Sequence, residues 1–219
     1  MKQNNQTSWA ARLRKLSALC LVLVAASSAW ADNNLTIKPN IEAGKTGTIA
    51  ISLNNETPYT AFQMEITLPK GLTIAKTGAM DIAADRKNLH QVPYNYDETT
   101  GVVRVAAYSF DGSDGNKVFN EKSGDLLNIT LKATSEYKGG NIEVSGITFV
   151  DGNLKGVTEG FKVANADISQ DGIVDTQDIL QVVDKILDNE PYTAYADLSG
   201  DGTIDTQDIL QIVDIIVNK

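Results

Sequence analysis

The feature that most constrains this chain is a duplication at its C-terminal end. Residues 167–189 read DISQDGIVDTQDILQVVDKILDN and residues 197–219 read DLSGDGTIDTQDILQIVDIIVNK, and 14 of 23 aligned positions are identical. A repeat this close indicates two copies of one structural unit. Each copy starts with an acidic loop and continues into an apolar pattern of helical spacing.

Each loop has the spacing of a calcium-binding loop, with oxygen-bearing residues at positions 1, 3, 5, 9 and 12 and glycine at position 6. Ca²⁺ takes six to eight oxygen ligands, and position 7 supplies a backbone carbonyl. Glycine suits the sharp turn because a positive φ brings no Cβ penalty. Without a cation, the carboxylates of one loop would repel each other. We therefore predict two bound Ca²⁺ ions. The predicted ligands are Asp167, Ser169, Asp171, Ile173, Asp175 and Asp178 in the first loop, and Asp197, Ser199, Asp201, Thr203, Asp205 and Asp208 in the second.

The apolar residues after each loop predict a short helix whose apolar stripe packs against its twin. Such helices are marginal alone, and a unit of about 54 residues has a small core. We therefore expect metal binding to supply much of its folding free energy. The two stripes are Ile179, Leu180, Val183, Ile186 and Leu187, and Ile209, Leu210, Val213, Ile216 and Val217.

Residues 1–31 have the pattern of a secretory signal peptide: basic residues, apolar residues 16–26 and a small-x-small end at Ala29-Trp30-Ala31. A transmembrane anchor is the weaker alternative, because the apolar core is short for a ~30 Å hydrocarbon layer. Lipid attachment at Cys20 is disfavoured, because Leu19 stands where a small residue is expected. We expect a secreted protein in an extracellular or cell-surface complex, without a transmembrane segment after cleavage, and a periplasmic location stays open.

Residues 32–163 alternate apolar and polar side chains in short runs separated by turn signals such as Asn54-Asn55 and Asp151-Gly152. Alternation of this kind places one face of a strand on a core. About eight or nine short strands predict an antiparallel β-sandwich of jelly-roll-like form. The stretch Thr77–Thr100 is less regular and is either a loop or a surface lobe. The predicted fold class is thus mainly β, followed by a small all-α unit at 164–219.

Composition excludes several function classes. Residues 166–219 carry 12 acidic and 2 basic groups, and the whole chain has a net charge of -9, which argues against nucleic acid as a partner. One Cys and one His leave no His-based triad, and the sole histidine, His90, is expected to be an exposed loop imidazole. Spacing selects no carboxylate pair for glycoside hydrolysis, so we predict no catalytic residues and no enzyme. Tyr94 and Tyr96 either form a sugar-stacking platform or cover a core edge.

The duplicated D-x-S-x-D-G-x-x-D-T-Q-D loop followed by a helix resembles the type I dockerin domain, and the match covers nearly all of 166–219. Like dockerins, and unlike paired EF-hands, each unit lacks a helix before the loop and ends the loop in Asp. Serine at position 3, where dockerins often have Asn, keeps a neutral oxygen ligand. The resemblance implies a cohesin-domain partner that binds in either of two orientations. It places recognition at loop positions 10 and 11 and on the helices, which here are Thr176, Gln177, Gln181, Asp184, Thr206, Gln207, Gln211 and Asp214.

The order of strand-like segments in the body, from AGKTGTIAISLNN to ITFVDGN, is similar to that of the cohesin or carbohydrate-binding sandwich group. Together the two resemblances imply a secreted non-catalytic assembly protein. Its dockerin would dock on a cohesin in a polysaccharide-degrading or adhesive complex, and its sandwich would accept another dockerin-bearing protein or a carbohydrate. A carbohydrate-binding protein anchored by its dockerin is the alternative.

Overall fold

The computed structural model describes residues 33–75, 78–109, 117–188, 193–199 and 201–218. They belong to one compact unit, residues 32–219. The predicted signal peptide lies outside the described residues. Within these ranges no helix is both long enough and apolar enough to cross a membrane.

The body is a sandwich of two six-stranded sheets, in which the described residues form twelve strands. The strands are β1 (Asn33–Asn40), β2 (Thr46–Asn54), β3 (Tyr59–Thr67), β4 (Leu72–Ile74), β5 (Met80–Ile82), β6 (His90–Gln91), β7 (Tyr94–Asp97), β8 (Val102–Ser109), β9 (Asp125–Ala133), β10 (Glu143–Asp151), β11 (Gly156–Val157) and β12 (Phe161–Asn165).

The first sheet has the order β12-β1-β2-β9-β4, with β5 also pairing with β9. The second has the order β11-β10-β3-β8-β6, with β7 also pairing with β8. The prediction of a sandwich is confirmed, but the first sheet is not wholly antiparallel, because β12 pairs parallel with β1. The chain passes from β11 in the second sheet to β12 in the first, where β12 lies beside β1. Alternation within one strand does not reveal such a pairing.

The core lies between the two sheets and is formed by the alternating residues of the long strands. Ile49, Ile51 and Leu53 on β2 are buried, as are Met64 and Ile66 on β3, and their neighbours in sequence are more exposed. Phe149 on β10 joins a cluster of aromatic rings at one end of this core. The period-two pattern therefore identifies the inward faces correctly.

The irregular stretch between β4 and β8 forms three short strands, β5 to β7, at the edges of both sheets. The expectation of an exposed His90 is wrong: the imidazole is buried and stacks on Phe119, with ring centroids 3.8 Å apart. His90 Nε2 donates to the carbonyl of Thr60 at 3.0 Å, and Nδ1 accepts from the N–H of Asn88 at 3.3 Å. Two neutral backbone groups thus satisfy the ring, which explains how a histidine lies inside the body.

The tail contains helices α1 (Thr176–Leu187) and α2 (Thr206–Val217) and a 3₁₀ turn, Ala194–Ala196. Both helices start at the end of an acidic loop, and both have a capping box. Their buried side chains join a second apolar cluster, which includes Val182 and Ile212 and is distinct from the sandwich core.

The predicted helical stripes are partly wrong, because Leu180, Leu187, Leu210 and Val217 point to solvent. The buried face instead follows Asp178 and Val182 on α1, and the equivalent residues on α2. The last loop residue must turn its carboxylate back into the loop, so the residue one turn later, at i+4, also faces inward.

The tail follows the body without a linker. The last strand, β12, crosses the predicted boundary at 163/164, and the N–H of Ala166 donates to the carbonyl of Ile37 at 2.9 Å. Two further backbone bonds hold the first loop: Ile41 N–H to Gly172 O at 2.9 Å, and Gly140 N–H to Gln170 O at 2.8 Å. The sandwich therefore fixes the position of the first loop.

Candidate functional site

The last aspartate of each acidic loop closes its loop in the same way. The carboxylate of Asp178 accepts from the N–H of Ser169 and from the N–H of Asp175, both at 2.8 Å. Asp208 accepts from the equivalent donors of the second loop at 2.9 and 2.8 Å. Both side chains are completely buried. The sequence repeat therefore extends to the hydrogen bonds that shape the two loops.

The first aspartate of each loop accepts hydrogen bonds from the turn at position 6. Asp167 Oδ2 accepts from the N–H of Gly172 at 2.9 Å, and Asp197 Oδ2 accepts from the N–H of Gly202 at 2.9 Å. The glycines have φ values of +97° and +92°, in the region that glycine adopts most readily. Each loop thus curls around its own first carboxylate.

The buried carboxylates of Asp167, Asp178 and Asp208 are unusual, because buried carboxylates are normally paired with a positive charge. Within the described ranges, no Lys or Arg forms an ion pair with Asp167, Asp178 or Asp208. Burial, with the negative charges of Asp178 and Asp171, raises the pKa of Asp167 to about 6, although the Gly172 N–H opposes the shift. Burial also raises the pKa of Asp208. Backbone N–H groups alone therefore do not compensate the buried charge.

The remaining predicted ligand residues lie on the same two loops. Asp171 and Asp201 are exposed and accept from the N–H groups of Ile173 and Thr203 at 2.9 and 2.8 Å. Ser169 Oγ donates to Asp167 Oδ1 at 3.3 Å, and Ser199 Oγ makes the same bond in the second loop at 3.2 Å. Asp175 and Asp205 cap the following helices, each accepting from a glutamine N–H at 2.7 Å.

The residues of each loop fit calcium by donor type, because carboxylates, one serine hydroxyl and a backbone carbonyl are hard oxygen ligands. Within the described ranges no group of three or more His, Cys, Asp or Glu side chains is arranged to hold a metal ion. The carboxylates instead accept from backbone N–H groups of their own loop, as described above. Calcium therefore remains a prediction, supported by the donor set and by the buried, uncompensated carboxylates.

The two loops differ in what surrounds them. A Cβ placed on Gly172 would lie 2.8 Å from the carbonyl oxygen of Ile41 and 3.0 Å from Cε1 of Tyr137, both in the sandwich. A Cβ on Gly202 would meet no atom within 4 Å in the described part of the chain. The second loop contacts the body through Asn34, whose Nδ2 donates to Ser199 O at 3.2 Å. The first loop is therefore packed into the sandwich, and the second is open.

All eight predicted partner-binding residues are exposed on the helices. Equivalent apolar residues of the two repeats lie exposed on the same helices: Leu180 and Leu210 are 61% and 66% exposed, and Leu187 and Val217 are 75% and 74% exposed. Sequence reasoning assigned these four residues to the core. Their exposure at matching positions suggests a surface function, because large apolar side chains in equivalent exposed places are unfavourable without a partner.

The second helix borders the body. Gln211 and Asp214 line a cleft of about 350 Å³ together with Lys38 and Ser52 of the first sheet. Lys38 Nζ and Ser52 Oγ both donate to Asp125 Oδ1, each at 2.6 Å, and the two bonds lower the pKa of Asp125 although its burial raises it. Two of the four predicted partner residues of the second repeat, Gln211 and Asp214, therefore lie beside the sandwich.

The outer face of the second sheet carries a shallow groove of about 570 Å³. Its floor includes an exposed ion pair in which Arg104 Nε lies 2.6 Å from Glu65 Oε1, and Tyr94 lies at its rim. Tyr96 is instead half-buried and packs against the sandwich core, so the two tyrosines form no shared platform. A groove with an exposed aromatic rim remains a candidate binding surface.

No protein-family model matches the chain, and no curated protein matches it either. Solved structures that align with it include cohesin modules. A non-cellulosomal cohesin from the archaeon Archaeoglobus fulgidus is 15% identical with a TM-score of 0.46, and the alignment covers 62% of this chain and 86% of that one. The sixth cohesin of scaffoldin B from Acetivibrio cellulolyticus, solved in complex with a Cel5 dockerin, is 18% identical with a TM-score of 0.47, covering 61% and 97%. A cohesin module of a family 33 glycoside hydrolase from Clostridium perfringens is 15% identical with a TM-score of 0.46, covering 62% and 98%.

Proposed function

We propose that this chain is a secreted, non-catalytic assembly protein whose tail is a calcium-dependent dockerin. The tail docks on a cohesin domain and so attaches the chain to an extracellular polysaccharide-degrading or adhesive complex. The observation that carries the proposal is a set of hydrogen bonds shared by the two duplicated acidic loops, each with a buried carboxylate at its first and last position. Two Ca²⁺ ions would supply positive charge beside the buried carboxylates of Asp167, Asp178 and Asp208, for which the described part of the chain offers no Lys or Arg ion pair.

In this proposal the ligands of each ion come from one loop. Asp167, Ser169, Asp171 and Asp178 supply side-chain oxygens in the first loop, Ile173 its carbonyl, and the residues 30 positions later do the same in the second. Asp175 and Asp205 cap the helices and lie at position 9, which often coordinates through water. Binding would fix the direction of both helices, because each helix starts at the last ligand of its loop.

The docking surface is proposed to combine polar and apolar residues of the helices. Thr176 and Gln177 at the start of α1 lie exposed near Leu180, and Thr206 and Gln207 repeat the arrangement near Leu210. Apolar anchors surrounded by polar groups are typical of protein interfaces. Exposed leucines at matching positions favour a protein partner over a purely solvent-exposed surface.

The body has two candidate ligands. We favour a dockerin-bearing protein, which would bind the outer face of the second sheet over the Glu65–Arg104 pair. A carbohydrate is the alternative, and the groove rimmed by Tyr94 favours it, because an aromatic ring can stack on a sugar. Binding on a glycan array that is lost in Tyr94→Ala, together with no binding to any dockerin, would decide for the carbohydrate.

The test of the tail is a binding assay of the chain from Asp32 to Lys219 against a panel of purified type I cohesins. We expect binding in millimolar CaCl₂ and none in excess EDTA. The double variant Leu180→Asp, Leu210→Asp should abolish binding while its circular dichroism in CaCl₂ stays unchanged. The matched control is Leu154→Asp, which alters a leucine of similar exposure on the body and should leave binding intact. Equal binding in EDTA, or loss of binding in the control alone, would refute the proposal.

A further inference from the structure

Tyr137 is a buried polar side chain whose hydroxyl has no hydrogen-bond partner among the described residues. It lies between β9 and β10, is 5% exposed, and packs its ring into the sandwich core. In the described part of the chain its oxygen meets neither a donor nor an acceptor. Buried hydroxyl groups are nearly always hydrogen-bonded, so an exception of this kind calls for a functional reason.

The hydroxyl points at the first acidic loop. A Cβ on Gly172, at position 6 of that loop, would lie 3.1 Å from the hydroxyl oxygen. Burial, together with the nearby negative charges of Asp167 and Asp171, raises the pKa of Tyr137 to about 12. The segment that carries Tyr137 is fixed to the loop by the bond between Gly140 N–H and Gln170 O.

We propose that Tyr137 is a positioning residue of the first cation site, contributed by the sandwich, whose hydroxyl donates its hydrogen bond to the ligand carboxylate of Asp167 when the cation is bound. The inference rests on the calcium loops of the proposed function. Groups that hydrogen-bond to metal-ligating carboxylates orient them and typically change metal affinity by about 10- to 100-fold. A neutral phenol suits this role, because it donates a proton to an anionic ligand without competing for the cation's charge.

The second loop lacks an equivalent residue in the described part of the chain, because nothing lies within 4 Å of a Cβ on Gly202. The two loops otherwise share their side-chain ligand types and most of their hydrogen bonds, although the N–H of Asp171 donates to Asp167 Oδ1 and the N–H of Asp201 donates to Ser199 Oγ. The chain therefore contains its own control: a change at Tyr137 should alter the first site and leave the second unchanged.

The test uses calorimetric titration of CaCl₂ into residues 32–219, with one loop disabled at a time. In the Asp208→Asn background only the first loop titrates, and Tyr137→Phe should weaken it by about tenfold. In the Asp178→Asn background only the second loop titrates, and Tyr137→Phe should leave its affinity within about twofold of the parent. The matched control is Tyr96→Phe, which removes a hydroxyl far along the sequence from either loop and should change neither affinity.

A second readout separates this role from a merely structural one. Both tryptophans precede residue 32, so residues 32–219 contain none and their emission comes from tyrosine. In the Asp208→Asn background, the calcium-dependent change of that emission should be smaller in Tyr137→Phe than in the parent. The melting temperature of Tyr137→Phe in EDTA should equal or exceed the parent's, because the lost hydroxyl has no partner in the folded chain.

The outcomes separate the two proposals. An unchanged first-loop affinity in Tyr137→Phe, with normal calcium binding by the parent, overturns this inference and leaves the calcium site standing. Loss of first-loop affinity together with a lower melting temperature in EDTA also overturns it, because general destabilisation then accounts for the effect. No calcium binding by the unaltered chain overturns the proposed function.

Discussion

The two loop glycines offer a matched pair of substitutions that measures how firmly the tail is joined to the body. Gly172 and Gly202 occupy the same loop position with nearly the same positive φ. Alanine at such a φ costs about 1–2 kcal/mol at either place. At Gly172 the new methyl group would also lie 2.8 Å from Ile41 O and 3.0 Å from Tyr137 Cε1, and such overpacking costs about 1–3 kcal/mol more.

We therefore expect Gly202→Ala to lower the free energy of unfolding by about 1–2 kcal/mol and Gly172→Ala by about 2–5 kcal/mol. The assay is urea unfolding of residues 32–219 in EDTA, followed by circular dichroism at 222 nm for the helices and by tyrosine emission. In a thermal scan each kcal/mol corresponds to about 2–4 °C for a unit of this size. Equal destabilisation by the two variants would refute the packing of the first loop into the sandwich.

Three further predictions concern the body and the metal. Burial lowers the pKa of His90 in the folded chain, so the unfolded chain binds the imidazole proton more tightly. The free energy of unfolding should therefore fall as the pH drops below about 6.5, the pKa of histidine in the unfolded chain. The decrease in urea midpoint between pH 7 and pH 5 should be smaller in His90→Gln than in the parent. An equal fall would contradict this. Arg86 is buried and donates to Leu53 O at 3.3 Å and to Asn55 Oδ1 at 2.8 Å, so Arg86→Met should cost about 1–3 kcal/mol by leaving these acceptors unpaired, and an unchanged midpoint would contradict that. Calcium at about 100 times its dissociation constant should stabilise each loop by about 2.7 kcal/mol. Chelation should remove this stabilisation and so lower the melting temperature followed by circular dichroism at 222 nm. Identical melting curves with calcium and with EDTA would contradict this prediction.

The sequence predicted the sandwich because its long strands lie half in the core and half in solvent. Ile49, Ile51 and Leu53 alternate with polar neighbours, and the same alternation appears in the structure as buried and more exposed positions. The acidic loops were predicted for a similar reason: a spacing of ligands and a glycine within 12 residues encodes a local shape. A sequence pattern therefore predicts local geometry directly.

The sequence failed where contacts join distant parts of the chain. The sequence predicts His90 as an exposed loop residue, because its burial depends on stacking with Phe119. The parallel pairing of β12 with β1 joins two segments that lie more than a hundred residues apart. No sequence pattern identified Tyr137 as a candidate, because nothing in the residues adjacent to it in sequence indicates that its hydroxyl lies against the acidic loop that contains Gly172. These features require the folded chain.

The exposed leucines show a different kind of failure. An apolar stripe at helical spacing was assigned to a core, but only part of it faces inward: Ile179 and Ile186 pack against the tail core, whereas Leu180 and Leu187 are exposed. Asp178 sets the direction on α1, because its carboxylate must reach the N–H groups of Ser169 and Asp175 in the loop. The residues that lie off this face, Leu180 and Leu187, then point to solvent. A ligand residue at a helix start can therefore decide which apolar residues remain for a partner.

The junction between body and tail implies that the two loops respond differently to calcium. The first predicted ligand, Asp167, follows β12 by two residues, and its N–H donates to the side chain of Asn165 at 3.1 Å. Backbone bonds from Ile41 and Gly140 then hold the rest of this loop in place. Because the sandwich orders the first loop by itself, less conformational entropy is lost there on binding than in the second loop. The first loop should thus depend less on the ion for its shape, and the second repeat should be the part whose folding the ion controls.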